Sequence, residues 1–331
     1  MFSPAPLRYG GIAVLLAVVC VLPFIVRPYQ LDFLIFMFIN IILVVSYRLI
    51  AITGEFSLAH AVMMGVGAYA STLLTQHLPI SPWISMPLGG VGAAIIAYIL
   101  SFPLFRMKGF YFLIASFAAA EAIRLCLVQF IFPFGGYRGL RRIPVLEIDL
   151  GDFLYIDLGA PVPYYFFALI VGIFFLVIMY RIEHSRFGFV FHAVHHKDTL
   201  AQSVGVNARR YRTIAFVTGG FFAGIAGAMV AHYITAINPG LFGLKQMLFI
   251  LVWVLVGGMG SFAGPIIGVV VLSVIDESLR GMDELRPGFY GLVLMATMLF
   301  LPDGLVSLPD KLMQGVKWLS SREVGGVTKR E

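Results

Sequence analysis

Most of this chain is made of apolar stretches about twenty residues long, separated by short segments that hold its charges. At about 1.5 Å per residue, a helix of that length crosses the roughly 30 Å hydrocarbon core of a bilayer. Such stretches are read over 11–26, 32–47, 57–75, 84–105, 109–132, 161–181 and 213–236, then over 246–275 and 287–301. The expected fold is an all-α polytopic membrane protein with about eight full transmembrane helices plus a broken or re-entrant pair, eight to ten spans in all. Only 12 % of residues are charged, where a soluble domain carries about a quarter. Residues 1–305 read as one transmembrane domain and 306–331 as a tail.

A formal charge of +6 on a soluble protein would suggest nucleic acid. Here the cations sit in short loops, so topology explains them and no nucleic-acid partner is expected. With the N-terminus in the cytoplasm, the inner segments 1–10, 48–56, 106–108 and 182–212 hold nine Lys and Arg, and the outer segments 27–31, 76–83 and 133–160 hold four. The bias favours that orientation. The outer 133–160 loop also carries Glu147, Asp149, Asp152 and Asp157. After 11–26 comes Val26-Arg27-Pro28-Tyr29, not a small-residue cleavage site, so that run reads as a retained span. Cys20 and Cys126 lie in apolar runs and form no disulfide or metal spacing.

The uncharged stretch 246–275 would be about 45 Å long as one helix, too long for the bilayer core. Its middle, Gly257-Gly258-Met259-Gly260-Ser261-Phe262-Ala263-Gly264-Pro265, is poor helix. A broken pair of short helices is the simpler reading, because irregular backbone at membrane depth must be satisfied by protein or a watery cavity. The pair returns the chain to the outside and leaves the C-terminus inside, in agreement with Lys311, Lys317, Arg322, Lys329 and Arg330. One long kinked span would instead put the tail outside. Beyond Pro309, Leu312, Met313, Val316 and Leu319 recur at helical spacing and suit an interfacial helix.

Three segments carry polar groups that could do chemistry or make contacts. In Gly54-Glu55-Phe56-Ser57-Leu58-Ala59-His60, the side chains of Glu55, Ser57 and His60 could line a solute path at the mouth of a small-residue helix. Ser57 equally suits a helix N-cap and Glu55 a turn. Glu121 and Arg124 stand at i, i+3 deep in the fifth apolar run, as a site or as a self-neutralising packing pair. The glycines of the 246–275 break, Gly257, Gly258 and Gly260, are path candidates because transporters often place sites at such breaks. In 182–212, Asp198 can cap a short helix Thr199–Val204 that Gly205 ends, and Asn207 can cap the next span. Leu200, Ala201 and Val204 form one apolar face there, suited to a partner groove or to an ordinary connector.

His192 and His196 are i, i+4, but no carboxylate or Cys completes a ligand set, so no metal is expected. There is no G-x-x-x-x-G-K-[ST] phosphate loop, H-E-x-x-H or G-x-S-x-G, so neither ATP hydrolysis nor a membrane enzyme is expected of this chain.

With these residues in view, the chain resembles the LivM-type permease of branched-chain amino acid ABC importers. Gly54–Tyr69 looks like the family's G-x-x-S-x-G-H-x-x-x-x-G-x-G-A-Y region, and Arg186–Gly188 through Asn207, with Tyr211–Phe216, like its cytoplasmic segment. Ala223–Ala228, Pro239 and Val256–Pro265 look like its A-G-x-A-G-A…P…L-G-G-x-G-S…G-P core, and Leu301–Leu305 like its terminal P-x-G-L. Ala59 stands where Gly is usual, Glu55 where Gln is common, and the His-rich 192–196 run replaces a mixed-charge segment.

The resemblance implies a multi-pass permease in a bacterial or archaeal plasma (inner) membrane. Its partners would be a homologous LivH-type permease, two ATPase subunits that bind the ATP and Mg, and a soluble extracytoplasmic substrate-binding protein. By that analogy Asp198, Thr199, Leu200, Ala201, Val204 and Gly205 form the helix seated on an ATPase. Branched-chain or other hydrophobic amino acids are the implied solutes, with urea, amides or small organic acids as the alternative. A secondary transporter or channel acting alone is the competing reading.

Overall fold

Proline and short polar caps set the helix starts. In the computed structural model, which describes residues 19–78, 80–149, 155–279, 281, 286–301 and 304–307, three long helices begin on a proline: α1 (Pro28–Ala51), α3 (Pro82–Leu104) and α5 (Pro161–Glu183). Proline costs no intrahelical hydrogen bond there and its φ is already helical. Between them lie α2 (His60–His77) and α4 (Phe110–Gln129). Two short helices follow, α6 (Arg186–His196) and α7 (Asp198–Ser203), then the long α8 (Ala208–Ile234). The Ser185 hydroxyl accepts from Phe187 N–H to open α6, and the Asn207 side chain accepts from Arg210 N–H to open α8. The last helices longer than one turn among the described residues are α9 (Leu244–Gly257), α10 (Ala263–Ser278) and α11 (Arg286–Phe300).

On length and composition, six helical stretches can cross a membrane: α1, α3, α4, α5, α8 and Pro239–Gly257, which takes in α9. Among the described residues this is fewer than the eight expected. Helix α2 is eighteen residues diluted by His, Ser, Thr and Gln, and α10 and α11 have only 16 and 15 residues. The expected span over 11–26 lies mostly outside the described residues, as does the interfacial helix beyond Pro309.

Helix α8 is the hub, packed along α1, α2 and α3. Small residues permit this. A Cβ added to Gly67 of α2 would collide with the backbone of Gly224, and one on Gly224 would press on Ala93 Cβ at 2.5 Å and Gly90 Cα at 3.0 Å of α3. Backbones in such contact gain dispersion that larger residues would prevent. We therefore expect Gly224→Val to cost about 3 kcal/mol or more, because rigid backbone on both sides cannot yield. A lower midpoint of thermal aggregation in detergent checks this.

Helices α3, α4 and α5 form the rim, with outward Ile84, Val91, Ile95, Ile99, Ile114, Ile170, Phe174 and Val177. That apolar surface suits lipid.

The 246–275 stretch is two helices, as its glycines suggest. Gly257 faces Gly264 and Gly268 faces the Trp253 carbonyl, so α9 and α10 run antiparallel with touching backbones. Gly258 turns the chain with φ 100°, a conformation glycine adopts without a Cβ penalty. Gly304, with φ 79°, packs on the Gly258 backbone where a Cβ would clash. Part of the terminal P-x-G-L motif therefore closes over the hairpin tip.

Two ends can be told apart by their contacts. A basic end gathers the C-termini of α1 and α5, the hairpin tip, α6, α7 and the N-terminus of α8. The opposite end carries two small antiparallel ribbons: β1 (Leu140–Arg141) with β4 (Ala236–Ile237), and β2 (Glu147–Asp149) with β3 (Tyr155–Asp157).

Candidate functional site

At the basic end, Arg48 is 1 % exposed and Glu183 8 %. Arg48 Nε donates to Glu183 Oε2 at 3.0 Å, its Nη2 to Oε1 at 2.6 Å, and its Nη1 to the Met259 carbonyl. One guanidinium thus joins α1, α5 and the tip of the α9–α10 hairpin. Fork-shaped pairing of this kind suits Arg and carboxylate. In the sequence they fall within the segments 48–56 and 182–212, which read as inner loops. The signal that could have found them was an Arg near the end of an apolar run, where a charge needs a buried partner.

A second charge cluster holds α7. Asp198 Oδ2 accepts from Lys108 Nζ at 2.7 Å and lies 3.2 Å from Arg212 Nη1. Arg212 Nε stands 3.4 Å from Glu55 Oε1. Burial pushes the Glu55 carboxyl above its ordinary value, and Arg212 pulls it back. The cluster links α7 to the α1–α2 connection, the α3–α4 connection and α8. Arg212→Ala should therefore cost more than Lys108→Ala, because Glu55 is 3 % exposed while the Lys108 side chain is 65 % exposed. We expect about 2 kcal/mol or more against under about 1 kcal/mol, read from unfolding midpoints in detergent.

The α7 expectations need two corrections. Asp198 is the first helical residue rather than its cap: Lys197 is the N-cap, and Asp198 is drawn into the ion pairs above. The helix ends at Ser203, with Val204 as C-cap and Gly205 at φ 86°. The three apolar residues also divide. Ala201 turns inward against Val194 and Ala208, whereas Leu200 is 63 % and Val204 76 % exposed. Thr199 is exposed on the same short helix.

The residues around the start of α2 are buried. His60 Nε2 lies 2.9 Å from Ser46 Oγ and 3.2 Å from the Leu43 carbonyl, at the α1–α2 contact. Ser57 is fully buried and its hydroxyl accepts from Ala59 N–H at 3.2 Å; Ala59, not Ser57, is the α2 N-cap. Glu121 and Arg124 pair with each other on α4, half-buried, and Glu121 lines a crevice of about 210 Å³ with Ala61, Met247 and Leu244. Gly257 and Gly258 sit in the hairpin packing, and Gly260 faces open space.

One concavity with a polar and an aromatic wall has no counterpart among the residues the sequence singles out. It is a cleft of about 620 Å³ between α1, α9 and α10, toward the ribbon end. Phe33, Phe36, Met37 and Phe249 form its apolar wall, and Asn40, Gln246, Ser273, Asp276 and Glu277 its polar one. Such a mixed lining is typical of sites that orient a small molecule. Lipid would penalise two carboxylates there, so this face of the bundle suits water or protein. A further polar cluster with no local sequence signal is His232, whose ring bridges Ser71 Oγ at 2.8 Å and the Pro144 carbonyl at 2.7 Å, fastening the loop between α4 and α5 to α2 and α8.

The comparisons agree with this architecture. The chain is 26 % identical over 305 residues to the high-affinity branched-chain amino acid transport system permease protein LivM of Escherichia coli K12, covering 86 % of this chain and 72 % of that protein. It is 24 % identical over 296 residues to LivH of Salmonella typhimurium, 83 % of this chain and 95 % of that one. A probable branched-chain amino acid transport permease protein LivH of Methanocaldococcus jannaschii is 23 % identical over 75 % of this chain and 82 % of its own length. No solved structure matches the chain at a significant level. The family model for the permease component of branched-chain amino acid transport systems matches residues 29–302, a range that takes in every long helix, the hairpin and α7, and the chain therefore belongs to that family of integral membrane transport permeases.

Proposed function

We propose that this chain is half of the solute pathway of an ATP-driven importer for branched-chain or other hydrophobic amino acids. A LivH-type permease forms the other half, two ATPase subunits dock at the basic end, and a soluble binding protein delivers solute to the ribbon end. Both termini then lie in the cytoplasm with the basic end. The ATP and Mg belong to the partner subunits.

One observation carries the reading. Helix α7 holds two large apolar side chains, Leu200 and Val204, out into solvent while Asp198 and Ala201 anchor it to the bundle. A short anchored helix with exposed apolar side chains suits a groove on another protein. Movement of an ATPase against α7 reaches α8 and the α1–α2 connection through Arg212 and Glu55. The Arg48–Glu183 pair lies one turn before α6 and holds the hairpin tip, so a shift at this end changes how α9 and α10 face the cleft. Two rigid arrangements of the helices then alternate access to the path.

Glu55, Ser57 and His60 act in this reading at the junction that α8 works against. Glu121, Arg124 and the Gly257–Gly260 tip border the path on its α4 and hairpin sides.

To test it, tagged chain is co-expressed with the second permease and ATPases and extracted in mild detergent. It should bring down both, and loaded binding protein should stimulate ATP hydrolysis by the complex. A chain that purifies alone and carries leucine down a gradient would establish the secondary-transporter reading instead.

A further inference from the structure

The outward face of α3 ends, at the basic end, on a hollow lined by cations. Ile84, Leu88, Val91, Ile95, Ile99 and Phe102 are exposed and recur at steps of three or four residues, so they form one apolar stripe along this rim helix. At its foot, between the last two turns of α3 and the first two of α8, lies a concavity of about 790 Å³. Tyr98, Ser101 and Phe102 line it from α3, and Arg209, Arg210 and Thr213 from α8. The cations there lack counter-charge. Arg212 on the same helix has Asp198 and Glu55. Arg209 gives only its Nη2 to the Phe102 carbonyl at 2.9 Å, and neither Arg209 nor Arg210 has a carboxylate partner among the described residues. The Arg210 guanidinium makes no hydrogen bond among those residues either. Its backbone N–H is already used by the Asn207 cap, so the free donors are side chains and not the helix end. Both arginines stand at the positive end of the α8 dipole, where an anion is favourable.

We propose that the hollow between α3 and α8 is a binding site for an anionic phospholipid. Its phosphate takes the Arg210 guanidinium and the free nitrogens of Arg209, with the Thr213 hydroxyl, four residues on from Arg209, on the same helix face. An acyl chain lies past Phe102 and Tyr98 onto the Ile99 and Ile95 surface. Tyr98 and Phe102, whose rings meet edge-on with centroids 4.9 Å apart, mark the level where headgroup gives way to hydrocarbon. Basic pockets between spanning helices take lipid headgroups for this reason: charge and apolar surface adjoin in the order that a phospholipid presents them. A free phosphate would use the arginines and leave the stripe unused. The site depends on the chain being embedded in a membrane and not on what it carries.

Native mass spectrometry of the full chain, stripped of lipid in detergent, tests it. The chain is titrated with phosphatidylglycerol or with phosphatidylcholine of the same acyl chains, and the two affinities are compared. Wild type should prefer phosphatidylglycerol by about 10-fold or more. Arg209→Gln with Arg210→Gln should bring the two lipids to within about 2-fold of each other. Arg210→Gln alone breaks no side-chain bond among the described residues, so its fold should hold while the preference drops about 3-fold or more. The control is Arg106→Gln with Arg186→Gln, which removes two exposed cations from the same end outside the hollow and should keep the wild-type preference. Millimolar inorganic phosphate should leave lipid binding unchanged. No preference in wild type, or an equal preference in the Arg209/Arg210 variant, overturns the site. An equal loss in the control also overturns it, since the lipid then answers only to net charge. Displacement by inorganic phosphate reassigns the hollow to a free anion. Loss of the lipid when the second permease and ATPases assemble on the chain reassigns it to a protein contact.

Discussion

Arg48→Ala is expected to be the most damaging single substitution at the basic end. It leaves the Glu183 carboxylate buried without its cation and removes the donor to the Met259 carbonyl. Removing one member of a buried ion pair typically costs about 3–5 kcal/mol, which is comparable to much of a domain's net stability. Little of that would come from lost Coulomb attraction, because a buried pair also carries a large desolvation penalty; the cost is the orphaned charge. The double variant Arg48→Met with Glu183→Leu should therefore recover most of the stability, while Arg48→Lys should recover little, because an ammonium cannot bridge two oxygens and a carbonyl in one plane. Thermal unfolding of detergent-purified protein checks the order. If Arg48→Ala melts within a degree or two of wild type, the clamp does not hold the hairpin tip.

Leu200→Asp with Val204→Asp should leave the fold intact and abolish transport. Both side chains are largely exposed, so their replacement does not disturb the bundle. If they fill an ATPase groove, each contributes about 1.5–3 kcal/mol of burial, and losing both weakens the contact by about 100-fold or more. Insertion and melting should match wild type while ATP-driven uptake disappears and the ATPases no longer co-purify. Ala201→Asp is the informative contrast. It places a charge against Val194 and Ala208 and should destabilise α6–α7 itself. Equal and full uptake by the Leu200/Val204 variant would remove α7 from the coupling path.

How far the sequence reached depends on the range of the interactions involved. Apolar length located α1, α3, α4 and α5 to within a few residues, because a membrane span is a local property of composition. The break at Gly257–Pro265 was also legible, since glycine and proline act on their own backbone. Helix α8 begins at Ala208, five residues before its expected start, because Arg209, Arg210 and Arg212 hide a helical turn from a hydropathy window. The pairing of Arg48 with Glu183 spans 135 residues of sequence and leaves no periodic trace. The same is true of β1 with β4, strands of two residues each whose register joins Leu140 to Ile237. For α7, spacing marked Leu200, Ala201 and Val204 as apolar neighbours but could not say which side faced the bundle; the Asp198 ion pairs decide it. The cleft between α1, α9 and α10 draws on three helices, two of them separated from the first by about two hundred residues, and no local window joins them.

The central claim is that this chain moves solute only as part of an ATP-driven assembly. The direct measurement is uptake of labelled leucine into proteoliposomes, with the chain alone in one set and the chain with its second permease, ATPases and loaded binding protein in the other. Uptake confined to the complete assembly, and only with ATP inside, is the predicted result. Leucine flux through the chain alone, following its gradient and indifferent to ATP, would contradict the account.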